Sequence, residues 1–133
     1  MITVFVALAA TSIDAETAEL LRSCNRPTPA AIVSCYARKQ AEVDAQLDKL
    51  FAWERTYSAP YGDQHKAAQE AWRAWREAQC SAEVAEEAAA HAWGEGTGYS
   101  ECAIGLALQR TRDLQRQKHN AELYERTTEQ KDR

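Results

Sequence analysis

Long runs of good helix formers, broken at only three places, constrain this chain more than any other feature. Pro27 and Pro29 close the lead segment, Pro60-Tyr61-Gly62-Asp63 is a turn signal, and Gly94-Glu95-Gly96-Thr97-Gly98 makes the last break. The stretches between are rich in Ala, Leu, Gln, Glu, Lys and Arg, which favour the α-helix, and β-branched residues are few and scattered. The pattern predicts three helices. The first runs from Ala30 to about Ala52, with Thr28 as N-cap and Pro29 at the first helical position. Its Tyr36, Val43, Leu47, Leu50 and Phe51 recur at the helical spacing of three and four. The second runs from Asp63 to about His91, with Ala68, Ala71, Trp72, Trp75, Ala78, Ala82 and Ala85 as its inner stripe. The third runs from Ser100 to about Gln117, and Ala103, Leu106, Ala107, Arg110 and Leu114 mark one of its faces. Thr127 to Arg133 holds no apolar residue and is expected to fray. A chain of 133 residues suffices for one domain. The expected fold is therefore all-α, a small antiparallel three-helix bundle. Its core is thin, because alanine supplies much of it; Trp72 and Trp75, three residues apart, are expected to share a face and fill it.

Four cysteines, at 24, 35, 80 and 102, offer a second source of stability. None forms a C-x-x-C, and no Cys/His cluster has zinc-finger spacing, so no metal is expected. An even count in a short chain points to two disulfides if the compartment is oxidising. Topology favours Cys24–Cys35 as a local clip and Cys80–Cys102 across the glycine-rich break; Cys35–Cys80 with Cys24–Cys102 is the alternative. The N-terminus fits an oxidising compartment. Ile2 to Ala10 is a short apolar run followed by small residues, the form of a secretory signal peptide, with cleavage expected after Ser12 or Ala15. No Lys or Arg precedes the run, which leaves only the α-amino group as the positive end. The expected division is a signal peptide over 1–15, a helical domain over 16–117 and a polar extension over 118–133. The expected location is periplasmic or secreted.

A formal net charge of −4 argues against a nucleic-acid binder, whose affinity rests on clustered Lys and Arg, and it suits a basic protein partner. The apolar run is too short to span a bilayer. No Ser/His/Asp nucleophile motif, phosphate loop or nucleotide fingerprint occurs, and the three histidines, at 65, 91 and 119, stand far apart. Neither catalysis nor a cofactor is expected.

Gln69-Glu70-Ala71-Trp72-Arg73-Ala74-Trp75-Arg76-Glu77-Ala78-Gln79-Cys80 resembles the signature Q-x-x-W-x-x-[aromatic]-R-[acidic]-x-x-C of the bacterial lysozyme-inhibitor LprI-like family. Asp44, Leu47 and Phe51 resemble its upstream D-x-x-L-N-x-x-Y element, with Asp48 in place of Asn and Phe51 in place of Tyr. Cys102 with Arg110-Thr111 and Leu114 resembles its closing segment. The resemblance spans about Cys24 to Gln117. It implies an exported helical domain with disulfides, and inhibition of lysozyme by non-covalent binding. The residues themselves read as scaffold. Gln69, Trp72, Arg76 and Cys80 form one helical line, and Arg76 is expected to meet Asp44 or Asp48 in a partly buried ion pair. The alternative function is an envelope-associated interaction module without lysozyme inhibition. Candidate partner contacts are Trp93, Glu95 and Tyr99, where two aromatics flank an acidic, glycine-rich tip; Trp53, Tyr57 and Tyr61 cluster at the other connection.

Overall fold

The structure, a computed structural model, describes residues 12–90 and 97–133, the side chains of 87–90 excepted. Four α-helices form among the described residues, in the order α1 (Ile13–Leu21), α2 (Pro29–Tyr57), α3 (Gly62–Ala90) and α4 (Gly98–Lys131), with a short 3-10 turn at Arg22–Cys24 after α1. The all-α expectation holds, with four helices in place of three.

The added helix is α1. The Ser12 side chain accepts a hydrogen bond from the Ala15 N–H at 3.1 Å, and Asp14 and Glu16 lie in the first turn, where the helix dipole favours negative charge. Its Thr17 and Leu21 are buried, and Leu20 packs against the core. A nine-residue helix is marginal alone, so its stability comes from docking on the bundle.

Thr28 does cap α2: its hydroxyl accepts from the Ala31 N–H at 3.2 Å, with Pro29 opening the helix. Val43, Leu47 and Phe51 of α2 meet Ile104, Ala107 and Leu114 of α4 to form the core. Val43 and Gln46 share a crevice with Leu108, Thr111 and Gln115, and Tyr36 shares another with Glu101, so α2 and α4 run side by side in the same direction. Between them in the chain, α3 runs the opposite way. A Cβ at Gly62 would lie 3.2 Å from the Arg55 carbonyl oxygen, so glycine lets α3 begin close against the end of α2.

Two expectations about α3 and α4 need correction. Trp75 does not fill the core; it is 49% exposed, whereas Trp72 packs against the core cluster. The alanines grouped with it, Ala68, Ala71, Ala78, Ala82 and Ala85, are also exposed. The buried line of α3 is Gln69, Arg76 and Cys80. A methyl group carries too little burial energy to decide which way a helix faces when stronger contacts compete. The C-terminus does not fray from Thr127 either: α4 continues to Lys131, because no Gly or Pro interrupts its second half. The segment 118–133 is an almost wholly exposed polar helix.

Both disulfides close, Cys24–Cys35 with Cα atoms 5.5 Å apart and Cys80–Cys102 with Cα atoms 5.6 Å apart. The first ties the turn after α1 to α2; the second ties α3 to α4. Loops of this length are each stabilised by about 3 kcal/mol on the chain-entropy account.

Candidate functional site

The motif on α3 builds a polar spine against α2. Arg76, only 8% exposed, donates to both Asp44 carboxylate oxygens, at 2.6 and 3.1 Å. Of the two acids open to it, Asp44 is the one it takes; Asp48 pairs instead with Arg73. The Arg76 guanidinium also lies 5.0 Å from the centre of the Trp72 ring, and Trp72 meets Phe51 edge-on at 5.9 Å. One turn along, buried Gln69 donates to the Phe51 carbonyl oxygen at 3.2 Å and to Glu54 Oε1 at 2.9 Å, while its own oxygen accepts from Arg55 at 2.5 Å. His65 Nδ1 stands 3.4 Å from the same Glu54 oxygen. Leu47 is fully enclosed beside this spine. These contacts leave the motif polar groups paired inside the molecule, and so unavailable to a ligand. Glu77 is the exception: it faces solvent and has no ion-pair partner among the described residues.

An acidic groove lies elsewhere, at the end of the bundle that carries the Cys80–Cys102 disulfide. A groove of about 470 Å³ opens between α1, α3 and α4, lined by Asp14 and Thr17, by Glu83, and by Gly98, Glu101 and Gly105. Three helices therefore each bring one carboxylate to it: Asp14, Glu83 and Glu101. None of the three has a cationic partner among the described residues; Glu83 accepts only a hydrogen bond from Gln79, at 2.9 Å. Gly105 forms part of the floor, where a Cβ would make ordinary contact with Thr17 at 3.7 Å. The Cys80–Cys102 disulfide fixes the groove by joining the two helices that carry Glu83 and Glu101.

Gly98, where α4 begins, lines this groove. Tyr99 follows, half-buried in the first turn of α4. Trp93 and Glu95 lie outside the described residues. At the opposite end Trp53 stacks on Tyr57 with ring centres 5.3 Å apart, and Tyr61 is 62% exposed on the turn. His119 is exposed on the surface of α4. Among the described residues no group of three His, Cys, Asp or Glu is placed to hold a metal ion, and no helix is long and apolar enough to cross a membrane.

Sequence reasoning named Glu95, which lies outside the described residues, and missed Asp14, Glu83 and Glu101. Glu83 reads in sequence as an ordinary solvated helix position, and Asp14 fell within the segment assigned to the signal peptide. Only the packing of α1 against α4 brings them together. The one available signal was Ser12 ahead of Asp14 and Glu16, a helix-start pattern.

Residues 23–114 match the family model described as lysozyme inhibitor LprI. No curated protein and no solved structure matches the chain. The matched span holds both disulfides, the α2–α3 spine and two of the three groove carboxylates; α1 and the last turns of α4 lie beyond it.

Proposed function

We infer the function from one premise: the chain belongs to the lysozyme inhibitor LprI family. Its proposed activity is that of an exported, non-catalytic binding protein that inhibits a lysozyme by occupying it. Two disulfides support an oxidising location, periplasmic or secreted, and no free cysteine is present.

The observation that carries the reading is the three-carboxylate groove. A volume of about 470 Å³ is too small for a protein surface and suited to one or two projecting side chains. Three carboxylates without cationic partners among the described residues select Lys or Arg over neutral or acidic groups. The overall charge of −4 adds attraction at long range for a basic enzyme. In this reading Trp93, Glu95 and Tyr99 extend the contact from the adjoining connection. Inhibition by occupancy asks no catalytic residue of the inhibitor.

The alternative, an envelope interaction module without lysozyme inhibition, draws on the exposed Tyr57 and Tyr61 beside Trp53 at the far end. A turbidity assay with a basic lysozyme and intact bacterial walls separates the two. The expected result is saturable inhibition at a fixed stoichiometry that weakens as salt rises. The triple variant Asp14→Asn, Glu83→Gln, Glu101→Gln should weaken it at least about tenfold, the effect of removing one to two charge-assisted hydrogen bonds. Unchanged inhibition by the triple variant would move the contact away from the groove, and absence of inhibition by the unaltered protein would favour the alternative.

A further inference from the structure

We propose that Gly105 determines which side chain the acidic groove accepts: having no side chain of its own, it leaves the Thr17 hydroxyl oxygen open to the tip of a long cationic side chain. The inference rests on the groove reading above and deepens it, naming the residue that sets the depth and the acceptor that the cation reaches.

Helix formation gives no reason for a glycine at this position. Gly105 lies well inside α4, where any L residue adopts the backbone and glycine is the poorest helix former after proline. Close packing gives none either. A Cβ at 105 would meet Thr17 Oγ1 at 3.7 Å and the Ile13 Cγ2 methyl at 3.9 Å, both ordinary van der Waals distances. Alanine therefore fits between α1 and α4 without moving either helix, and it would strengthen α4. What alanine would remove is access. Thr17 is 5% exposed and lines the groove. Its hydroxyl donates to the Ile13 carbonyl oxygen at 2.8 Å, which leaves the oxygen lone pairs to accept, and no described residue donates to them. Oγ1 is also the atom nearest the place of the absent Cβ, so a methyl group there would stand over it.

The chemistry around that oxygen selects the ligand. Thr17 Oγ1 and the Asp14, Glu83 and Glu101 carboxylates all accept hydrogen bonds, so the matching group is a cation that only donates. Ile13 and Leu106 line the same groove and offer apolar surface to a run of methylenes. Lys and Arg combine such a stem with such a head. A short or neutral side chain leaves Oγ1 or the carboxylates unserved.

The test titrates n-butylguanidinium, with n-butanol as the uncharged control, into the oxidised, isotope-labelled protein and follows its amide resonances, alongside urea unfolding and the lysozyme turbidity assay. The expected result is a saturable shift at Thr17 and Gly105 with the cation and none with the alcohol. Gly105→Ala should raise the urea midpoint by about 0.5 M yet weaken both probe binding and inhibition about tenfold, the effect of one lost charge-assisted hydrogen bond. A residue that only holds the fold would move stability and binding in the same direction. Thr17→Val should lose the probe as Gly105→Ala does, and Thr17→Ser, which keeps the hydroxyl, should bind it more tightly than Thr17→Val. Gly105→Ala that binds the probe as the unaltered chain does, or that unfolds at lower urea, overturns the inference, as does an equal response to the alcohol. Inhibition of lysozyme by a protein whose groove amides ignore the cation also overturns it, and leaves the inhibitor reading standing. Probe binding with these variant effects, in a protein that does not inhibit lysozyme, overturns the inhibitor reading and supports the groove inference.

Discussion

The inner faces of α2 and α3 are built on opposite plans. Val43, Leu47 and Phe51 turn α2 inward as a hydrophobic stripe of the ordinary kind. Among the described side chains of α3, Cys80 is the buried apolar residue, Trp72 and Val84 are half-buried, and Gln69 and Arg76 are buried polar residues, while Ala71, Ala74, Ala78 and Trp75 remain in solvent. The orientation of α2 follows from apolar burial. That of α3 follows from a set of directional contacts: Arg76 on Asp44, Gln69 on Phe51 and Glu54, and the disulfide to α4. The difference shows where hydrophobic periodicity can be trusted. It works on α2, where Val43, Leu47 and Phe51 carry the pattern, and it fails on α3, where exposed alanines and Trp75 made up the stripe.

The contrast predicts different responses to truncation. Phe51 is enclosed and touches both Trp72 and Arg73, so Phe51→Ala should cost about 3–5 kcal/mol, read as a lowered urea midpoint. It removes the apolar anchor on which both plans converge. A loss near 1 kcal/mol would mean that the spine holds α3 without that anchor, and the two faces would be independent.

Arg76 probes the polar plan directly. Arg76→Ala leaves Asp44 without its cation in a site about three-quarters enclosed, and should cost about 2–3 kcal/mol. A double-mutant cycle that adds Asp44→Ala should return a coupling of about 1–2 kcal/mol. If the coupling is nil, the pair follows the helix orientation and does not set it.

The two tryptophans carry the comparison onto a single helix. Trp72→Ala should cost about 2–3 kcal/mol, because the ring bridges Phe51 and Arg76. Trp75→Ala should cost less than about 1 kcal/mol, because half of its surface already meets water. Equal losses from thermal unfolding would contradict the assignment of inner and outer faces.

Much of the architecture was legible in the sequence, for reasons that differ by region. The breaks at Pro60-Tyr61-Gly62 and at the glycine-rich segment delimit α2, α3 and the start of α4, because Gly and Pro act locally. The Thr28 cap follows from local spacing; for Arg76 the sequence leaves Asp44 and Asp48 open, and the packing of α3 on α2 selects Asp44. The end of α4 was hidden because polarity resembles disorder when no breaker marks the stop. The start of α1 was hidden because residues 13–15 fall within the segment read as a signal peptide, and with it went Asp14, one third of the acidic groove. That groove joins residues from positions 14, 83 and 101, and no local pattern reports on a juxtaposition of that span.

The smallest expected effect tests the outer face of α3 itself. Ala71→Gln and Ala78→Gln place polar side chains on exposed helical positions, and Gln differs little from Ala in helix propensity. Each should change stability by no more than about 0.5 kcal/mol, with the elution volume of the protein unchanged. Both residues share a face with Trp75, so the alanines serve helix formation there and not packing. A larger destabilisation that grows with protein concentration would show that this face is covered in solution. The polar spine would then be one of two surfaces orienting α3, and the contrast with α2 would narrow to a difference in what each helix packs against.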